Sequence, residues 1–237
     1  MSEENRRMFS RIAKNYDLVN RVISGGQDVG WRRSAARECV GGKDALKVLD
    51  GATGTGDIAI ILTEEAERQG KHIEVVGLDF NSDMLRIAKR KTARRGIKNI
   101  RYVLGDALHM RLKSGQFDAI TTGFALRNFD DLQQFMNESF RVLKPGGKMV
   151  FLDVAKPEPI LRKAFELYYN TVIPIVGGIY NRDAYHWLVS SLWRFDKDKA
   201  VGMARAAGFE HVHIRNLTFG AAFILIGTKP IGKRSRD

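Results

Sequence analysis

The sequence predicts an α/β fold: a doubly wound, mostly parallel sheet of seven strands that ends in an antiparallel C-terminal hairpin. Short β-branched runs alternate with longer amphipathic runs from Lys47 onward, which is the rhythm of strand–helix–strand units. A glycine-rich turn follows the first strand, and only two residues join the last two strand-like runs. Right-handed crossovers make the doubly wound sheet the most economical topology.

The N-terminal region is predicted to be helical. Apolar residues recur at the spacing of one helix face between Phe9 and Tyr16, and the pair Gly25-Gly26 marks a break before the next amphipathic run. We therefore expect two or three helices before the sheet begins.

Five strands separated by helices are predicted next. Each strand is a short apolar run, and each helix carries its apolar residues on one face. The predicted strands are 47–50, 72–80, 100–106, 117–126 and 148–154, the helices are 58–69, 82–95 and 130–143, and a turn at 144–147 precedes the fifth strand.

The C-terminal part has a different pattern. Pro157 and Pro159 end the fifth strand, and an aromatic-rich segment then reads as an inserted helical cap before a helix at 196–207. The last two strands, 211–218 and 221–228, lie too close in sequence for a parallel crossover. They must be antiparallel neighbours, which distinguishes this pattern from an ordinary dinucleotide-binding domain.

Composition narrows the classes of function. Lys and Arg exceed Asp and Glu, 39 to 27, and this net charge of +12 attracts nucleic acid, lipid headgroups or phosphorylated metabolites alike. Much of the charge lies between positions 86 and 101, where a solvated helix face is the main interpretation and a binding patch the alternative. Cys39 can form no intramolecular disulfide, and no signal-peptide or membrane-spanning run is apparent, so we expect a cytoplasmic protein.

The first strand runs into a glycine-rich turn, Gly51 to Gly56, and then into a helix. Glycines at this place let the backbone turn tightly beneath a ligand and approach it closely. The spacing also satisfies the relaxed dinucleotide fingerprint GxGxxA, which is weak on its own, and a turn that holds no ligand is the alternative.

Three carboxylates at successive strand ends favour a bound cofactor. Asp50, beside the glycines, suits the ammonium of an amino acid and would repel a pyrophosphate. Asp79 can bind ribose hydroxyls, and Asp106 can accept a hydrogen bond from an adenine amino group. Each acid alone could equally cap a helix or a turn, but open α/β sheets bind ligands at this edge. The combination favours a sulfonium cofactor, S-adenosylmethionine, over NAD.

Four segments carry a resemblance to a known family: FSRIAKNYD (9–17), GTGD (54–57), FALRN (124–128) and LKPGG (143–147). Over nearly its whole length the sequence resembles the UbiE/MenG family of C-methyltransferases in menaquinone and ubiquinone biosynthesis, class I S-adenosylmethionine-dependent methyltransferases with a Rossmann-like fold. The resemblance implies methylation of a ring carbon of a prenylated quinol or phenol, such as a demethylmenaquinol.

The resemblance also implies cofactor contacts from Thr55, Asp79, Asp106, Ala107 and Gly123. Together with the turn and the strand ends, the expected cofactor site comprises Asp50, Gly51, Thr53, Gly54, Thr55, Gly56, Asp79, Phe80, Met84, Asp106, Ala107, Gly123 and Phe124. No metal site is expected.

Few catalytic side chains are expected, because methyl transfer is an in-line displacement in which the cofactor brings the activated group. Arg127 and Asn128 follow the fourth strand, where a guanidinium could stabilise a phenolate and an amide could orient it; a purely structural loop is the alternative. Asp153, at the end of the fifth strand, is a candidate base or a structural acceptor.

On the substrate side, Tyr16 is expected in a lid, and Tyr169 and Tyr185 in the cap, around an apolar acceptor. We expect one domain, 1–237, made of an N-terminal helical lid (1–45), a cofactor-binding core (46–157), the inserted cap (158–195), a C-terminal helix and hairpin (196–230) and a basic tail (231–237). The expected partner is a small, lipid-soluble aromatic acceptor. Peripheral contact with an anionic membrane at its inner face and homo-oligomerisation are both left open. Nucleic acid is a disfavoured partner.

Two other functions stay open. One is a methyltransferase that acts on another small molecule or on RNA, and steep salt dependence of RNA binding would favour it. The other is a non-catalytic protein that binds S-adenosylmethionine without turnover.

Overall fold

The computed structural model describes residues 9–11, 13, 15–42, 44–156, 163, 167, 171 and 195–232. The inserted cap, with the single exceptions just given, therefore lies outside the described residues, as does the end of the basic tail.

A seven-stranded sheet organises the chain in the order β3-β2-β1-β4-β5-β7-β6. Neighbouring strands among β1 to β5 are parallel, whereas β7 is antiparallel to both β5 and β6. The predicted mostly parallel sheet with its terminal hairpin is thus confirmed. The strands are β1 (Ala45–Gly51), β2 (His72–Asp79), β3 (Ile100–Leu104), β4 (Phe117–Gly123), β5 (Leu143–Val154), β6 (Glu210–Leu217) and β7 (Ala222–Thr228).

Helices cover both faces of this sheet, as doubly wound topology requires. The helices are α1 (Tyr16–Ile23), α2 (Asp28–Val40), α3 (Asp57–Arg68), α4 (Ser82–Arg94), α5 (Leu132–Val142) and α6 (Lys197–Ala206). One face packs against the apolar sides of α2 and α3, and the other packs against α5 and α6. Two or three helices were predicted before the sheet, and α1 and α2 are the two that the described residues show in full, with the break at Gly25-Gly26 between them.

Side-chain caps fix where three helices begin. Asn81 accepts hydrogen bonds from the backbone N–H groups of Asp83 and Met84 at the start of α4. Asp131 and Asp196 do the same for α5 and α6. These side chains satisfy backbone donors that a helix leaves free at its N-terminus.

The segment 143–147 differs from the prediction. The sequence indicates a turn there, but β5 begins at Leu143, which pairs with Phe117 before the register shifts. The backbone N–H of Gly146 donates to the carbonyl of Lys229, and that of Lys229 donates to the carbonyl of Gly147. The turn residues therefore find strand-like partners on both sides, which local sequence alone does not reveal.

None of the helices in the described part of the chain is long and apolar enough to cross a membrane.

Candidate functional site

The glycine-rich turn lies between β1 and α3 at the carboxyl edge of the sheet. Ala52, Gly54 and Gly56 all have positive φ, which costs glycine little and alanine more. The backbone N–H of Thr53 donates to the carbonyl of Leu78 at 2.9 Å, so the turn is fastened to the end of β2. Its backbone is thus held in place before any ligand arrives.

Asp79 anchors the turn from the end of β2. Its Oδ2 accepts the backbone N–H of Gly54 at 2.7 Å, and its Oδ1 accepts that of Asn81 at 2.8 Å. Burial raises the pKa of this carboxyl to about 6, although the two backbone donors oppose that rise. At neutral pH the group is an acceptor with lone pairs left for a ligand hydroxyl.

Asp50 lies deeper, beneath the turn, with 1% of its surface exposed. Its Oδ2 accepts the hydroxyl of Thr53 at 2.6 Å, but its Oδ1 finds no partner among the described residues. Burial raises the pKa of Asp50 to about 7, with the Thr53 hydroxyl opposing the rise and Asp79 adding to it. A buried carboxylate oxygen without a donor is a costly arrangement that a bound cation would relieve.

A cavity of about 380 Å³, partly open to solvent, adjoins the turn and the end of β4. Its walls include many predicted site residues together with four that sequence reasoning left out of the site. The lining residues are Phe9, Tyr16, Ala52, Gly54, Asp79, Phe80, Asn81, Met84, Gly123, Phe124, Ala125 and Asn128.

Phe124 forms one wall in a strained conformation. Its φ is +62°, unusual for a residue with a Cβ, and its backbone N–H donates to the carbonyl of Leu152 at 2.8 Å. The ring packs edge-on against Trp31, and the buried Arg32 guanidinium lies 4.8 Å from its centroid. Strain of this kind collects at functional sites, where surrounding contacts enforce it.

Arg127 and Asp153 form a buried ion pair behind this wall. The Arg127 guanidinium donates to Asp153 Oδ1, which also accepts the backbone N–H of Val154 at 2.7 Å. The Asp153 side chain is fully buried and that of Arg127 is 5% exposed. Burial raises the pKa of Asp153, and the guanidinium opposes that rise.

Asn128 lines the cavity and carries a buried side-chain acceptor. Its Nδ2 donates to the carbonyl of Phe124 at 3.2 Å, which fixes the orientation of the amide. Its Oδ1 is buried and has no partner within the described part of the chain. A ligand N–H or O–H group would satisfy it.

The remaining predicted residues stand apart from the cavity wall. Asp50, Gly51, Thr53, Thr55 and Gly56 belong to the turn or lie beneath it, and none of them lines the cavity. Asp106 and Ala107 follow β3 and do not line it either; Asp106 Oδ1 accepts the backbone N–H of Leu108 at 2.9 Å. Tyr169 and Tyr185 lie outside the described residues.

The four added residues carry signals that were present in the sequence. Phe9 belongs to the quoted FSRIAKNYD segment, and its ring packs edge-on against Tyr16 with centroids 6.2 Å apart. Asn81 stands where a helix N-cap is expected. Ala52 and Ala125 belong to the quoted turn and the FALRN segment and contribute small side chains that carry no chemical signal of their own.

These features fit S-adenosylmethionine. A turn without bulky side chains, the Asp79 carboxylate at the cavity wall and two buried side-chain oxygens that have no donor among the described residues suit an adenosyl group joined to an amino acid. Gly123 lines the cavity at a position where no side chain fits, because a Cβ there would stand 2.3 Å from the Ile58 side chain. No group of three His, Cys, Asp or Glu side chains in the described residues is arranged to hold a metal ion.

Comparison with known proteins identifies the family of this chain. The profile of the ubiE/COQ5 methyltransferase family matches residues 1–229. A demethylmenaquinone methyltransferase of Thermus thermophilus is 41% identical over 227 residues, which cover 94% of this chain and 100% of that protein. Another, from Deinococcus radiodurans, is 42% identical over 226 residues, which cover 94% of this chain and 91% of that protein.

A solved structure shows the same fold. Phosphoethanolamine N-methyltransferase 2 of Haemonchus contortus, in complex with S-adenosylmethionine, superposes with a TM-score of 0.63 at 15% identity, over 85% of this chain and 52% of that chain. The match along nearly the entire sequence and the geometry of the site lead to one conclusion: the chain belongs to the ubiE/COQ5 methyltransferase family and is an S-adenosylmethionine-dependent methyltransferase.

Proposed function

We propose that this enzyme methylates a ring carbon of a prenylated quinol of the demethylmenaquinol type. The names of its relatives from Thermus thermophilus and Deinococcus radiodurans support this acceptor. The structural observation that carries the proposal is the buried guanidinium of Arg127 next in sequence to Asn128, a residue of the cavity wall with a buried acceptor.

Carbon methylation requires an electron-rich ring. The bound cofactor supplies an electrophilic methyl group on its sulfonium, and the ring carbon attacks best when the adjacent hydroxyl carries negative charge. In our proposal Asn128 Oδ1 accepts the hydrogen bond of that hydroxyl, and the hydroxyl proton passes to solvent through the open side of the cavity. Arg127 then stabilises the negative charge that is left on the oxygen. The cofactor's ammonium is assigned to Asp50, and its ribose to Asp79.

We consider two alternative roles for Asp153, and an experiment can distinguish them. As the base, it would take the ring proton after the carbon–carbon bond forms, which its burial-raised pKa favours. As a positioning group, it would hold Arg127, whose guanidinium donates to Asp153 Oδ1 and whose backbone N–H donates to Asp153 Oδ2 at 3.4 Å. In a single turnover, an acceptor deuterated at the ring carbon that is methylated loses its deuterium only in the proton-loss step. If Asp153 is the base, Asp153→Asn would therefore slow the loss of deuterium and leave formation of the carbon–carbon bond unchanged.

The acceptor is tested by transfer of a labelled methyl group from S-adenosylmethionine to a short-chain demethylmenaquinol, with RNA and other phenols as competing substrates. We expect Asn128→Leu and Arg127→Lys each to lower kcat about 100-fold while the Kd for S-adenosylhomocysteine stays within about twofold. Asn137→Leu, on the exposed side of α5, is the matched control. The proposed acceptor is refuted if RNA becomes labelled and the quinol does not. The proposed roles of Asn128 and Arg127 are refuted if kcat is unchanged in both variants.

We further propose that the carboxyl edge of the sheet rests on an anionic membrane. Three exposed apolar side chains follow this edge: Leu18 on α1 (49% exposed), Leu104 at the end of β3 (58%) and Phe219 in the β6–β7 turn (68%). The two edge strands place the last two at opposite ends of the sheet, with the cavity between them. The exposed cations of α4 and the net charge of +12 complement anionic headgroups.

Vesicle co-sedimentation tests this contact. We expect binding to vesicles of phosphatidylglycerol and phosphatidylcholine, weaker binding to pure phosphatidylcholine, and loss in the Leu18→Ser and Phe219→Ser variants. Ile231→Ser is the control, because Ile231 is 79% exposed but packs beside Gly146 at the opposite edge. Equal binding by all three variants would refute the proposed face. A cytoplasmic location and a homo-oligomer are further proposals, which fractionation and sedimentation velocity would test.

A further inference from the structure

Helix α1 is attached to the cofactor turn mainly by polar contacts. Asp17 Oδ1 accepts the hydroxyl of Thr55 at 2.5 Å, and Asp17 Oδ2 accepts Lys91 Nζ, from α4, at 2.7 Å. Lys91 also donates to Asp57, the first residue of α3, and lies 3.3 Å from the Thr55 hydroxyl. One carboxylate on α1 thus joins the turn and two helices of the core.

Apolar packing contributes little to the position of α1. Not one of its described residues is buried, and Leu18 and Val22 are exposed. A helix of eight residues is too short to be stable alone in water. Its position therefore depends on Asp17 and on Arg21, whose guanidinium donates to both oxygens of Asp28 at 3.0 Å.

The junction between α1 and α2 can act as a hinge. Gly25 and Gly26 both have positive φ, and a Cβ on either would meet no described atom within 4 Å. By contrast, α2 is fixed to the core by buried residues that include Trp31, Ala35 and Val40. Movement about the two glycines would therefore carry α1 away from the turn and leave α2 in place.

Tyr16 connects this attachment to the cofactor. It is the neighbour of Asp17 on α1, and it lines the cavity together with Phe9. Release of Asp17 from Thr55 and Lys91 would withdraw Tyr16 from the wall of the cavity. The ligand would then be able to leave.

We propose that Asp17 is a positioning residue that holds α1 closed over the cofactor, through Thr55 and Lys91, and so sets the rate at which S-adenosylmethionine enters and S-adenosylhomocysteine leaves. Asp17 acts on the cofactor only through α1 and Tyr16 and takes no part in methyl transfer. The proposal concerns the cofactor and is independent of the identity of the acceptor.

Dissociation of S-adenosylhomocysteine, followed by stopped-flow displacement from the full-length protein, tests this. We expect Asp17→Asn to raise the dissociation rate about fivefold, because it keeps an acceptor for Thr55 but loses the ion pair with Lys91. Lys91→Gln removes the same ion pair with Asp17 and also the contact with Asp57, so it should raise the rate at least as much. Adding Asp17→Asn to Lys91→Gln should raise the rate no further, since the ion pair is already lost. Asp17→Glu should restore part of the slow rate.

The matched control is Glu64→Gln. Glu64 pairs with Arg95 at 3.3 Å and so joins α3 to α4 as Lys91 and Asp57 do, but without touching α1. It should leave the dissociation rate within about twofold of wild type. In wild type the rate should rise with salt, whereas in Asp17→Asn it should not.

If Asp17 had only a general structural role, its loss would also slow the single-turnover step. The proposal predicts otherwise. Single-turnover methyl transfer with saturating S-adenosylmethionine should be unchanged in Asp17→Asn, while KM for the cofactor rises about fivefold. The proposal is overturned if Asp17→Asn dissociates at the wild-type rate, if Glu64→Gln matches it, or if the loss of activity resides in the single-turnover step.

Discussion

The buried carboxyl of Asp50 leads to a prediction about stability and pH. Its pKa is raised from 3.8 to about 7, chiefly by burial. The native state therefore holds this proton more tightly than the unfolded chain does. Stability from this group is fully present below pH 4 and is lost as pH rises to about 7.

The size of the effect follows from that shift. About three pKa units at ~1.4 kcal/mol each give about 4 kcal/mol in total, of which about 3 kcal/mol falls between pH 5 and pH 8. Asp50→Asn has no charge to bury at any of these pH values. Its free energy of unfolding, minus that of wild type, should therefore increase by about 3 kcal/mol from pH 5 to pH 8 and then level off.

Urea unfolding of the ligand-free protein at half-unit pH steps measures this difference. Asp44→Asn, at an exposed position before β1, controls for a general loss of negative charge. A difference between Asp50→Asn and wild type that stays constant across the range would refute the reasoning. It would mean that the carboxyl is solvated or paired in the native state.

Asp50→Asn should gain stability relative to wild type as pH rises but should lose affinity for S-adenosylhomocysteine. If Asp50 holds the ammonium of the cofactor, wild-type affinity for S-adenosylhomocysteine should increase as pH rises toward 7, because the ionised carboxylate is the binding form. Asp50→Asn should bind more weakly at pH 8 and lose that rise. Calorimetry on both proteins checks it, and equal affinities at pH 8 would contradict the assignment.

Three further predictions concern residues in and around the site. Gly77→Ala should cost about 1–3 kcal/mol of stability, because its Cβ would lie 2.7 Å from the ring of Tyr102; chemical denaturation checks this, and a neutral result would contradict it. Asn81→Ala should cost about 1 kcal/mol through the lost cap of α4, whereas Asn81→Ser should recover most of it in the same assay. Arg127→Met should lower the free energy of unfolding by about 3–5 kcal/mol, because it leaves the Asp153 carboxylate buried and unpaired. Adding Asp153→Leu to this variant should restore part of that stability. Additive losses in the double variant would argue against a stabilising ion pair.

Local pattern was enough to predict most of the fold. The two-residue link at Phe219-Gly220 excludes a parallel crossover, so the antiparallel pairing of β6 with β7 follows from chain length alone. The turn after β1 likewise needs only its glycines and the flanking strand. Segment 143–147 was not predictable in this way, because its strand-like bonds come from Phe117 and Lys229, which are distant in sequence.

The sequence was enough to predict that the site lies at the ends of the parallel strands. It was not enough to predict which side chains contact each other there. Parallel strands bring Gly54 and Asp79 to one edge, and the structure joins them by a hydrogen bond. The pairing of Arg127 with Asp153 depends instead on the depth of each side chain, which no spacing encodes. Asp17 was visible in the FSRIAKNYD segment, but its contact with Thr55 spans 38 positions and two separate helices.

Contacts between the first and last parts of the chain have a consequence for synthesis. Trp31 Nε1 donates to Thr218 Oγ1 at 2.9 Å, across 187 positions, and Trp31 also supports the ring of Phe124 in the cavity wall. A ribosome releases the N-terminal helices long before β6 and β7 emerge. We therefore expect a nascent chain arrested before residue 210 to bind S-adenosylhomocysteine poorly. Such a chain would also expose the edge of β5 that pairs with β7 in the complete sheet. An exposed strand edge of this kind is expected to bind chaperones until the C-terminal hairpin covers it.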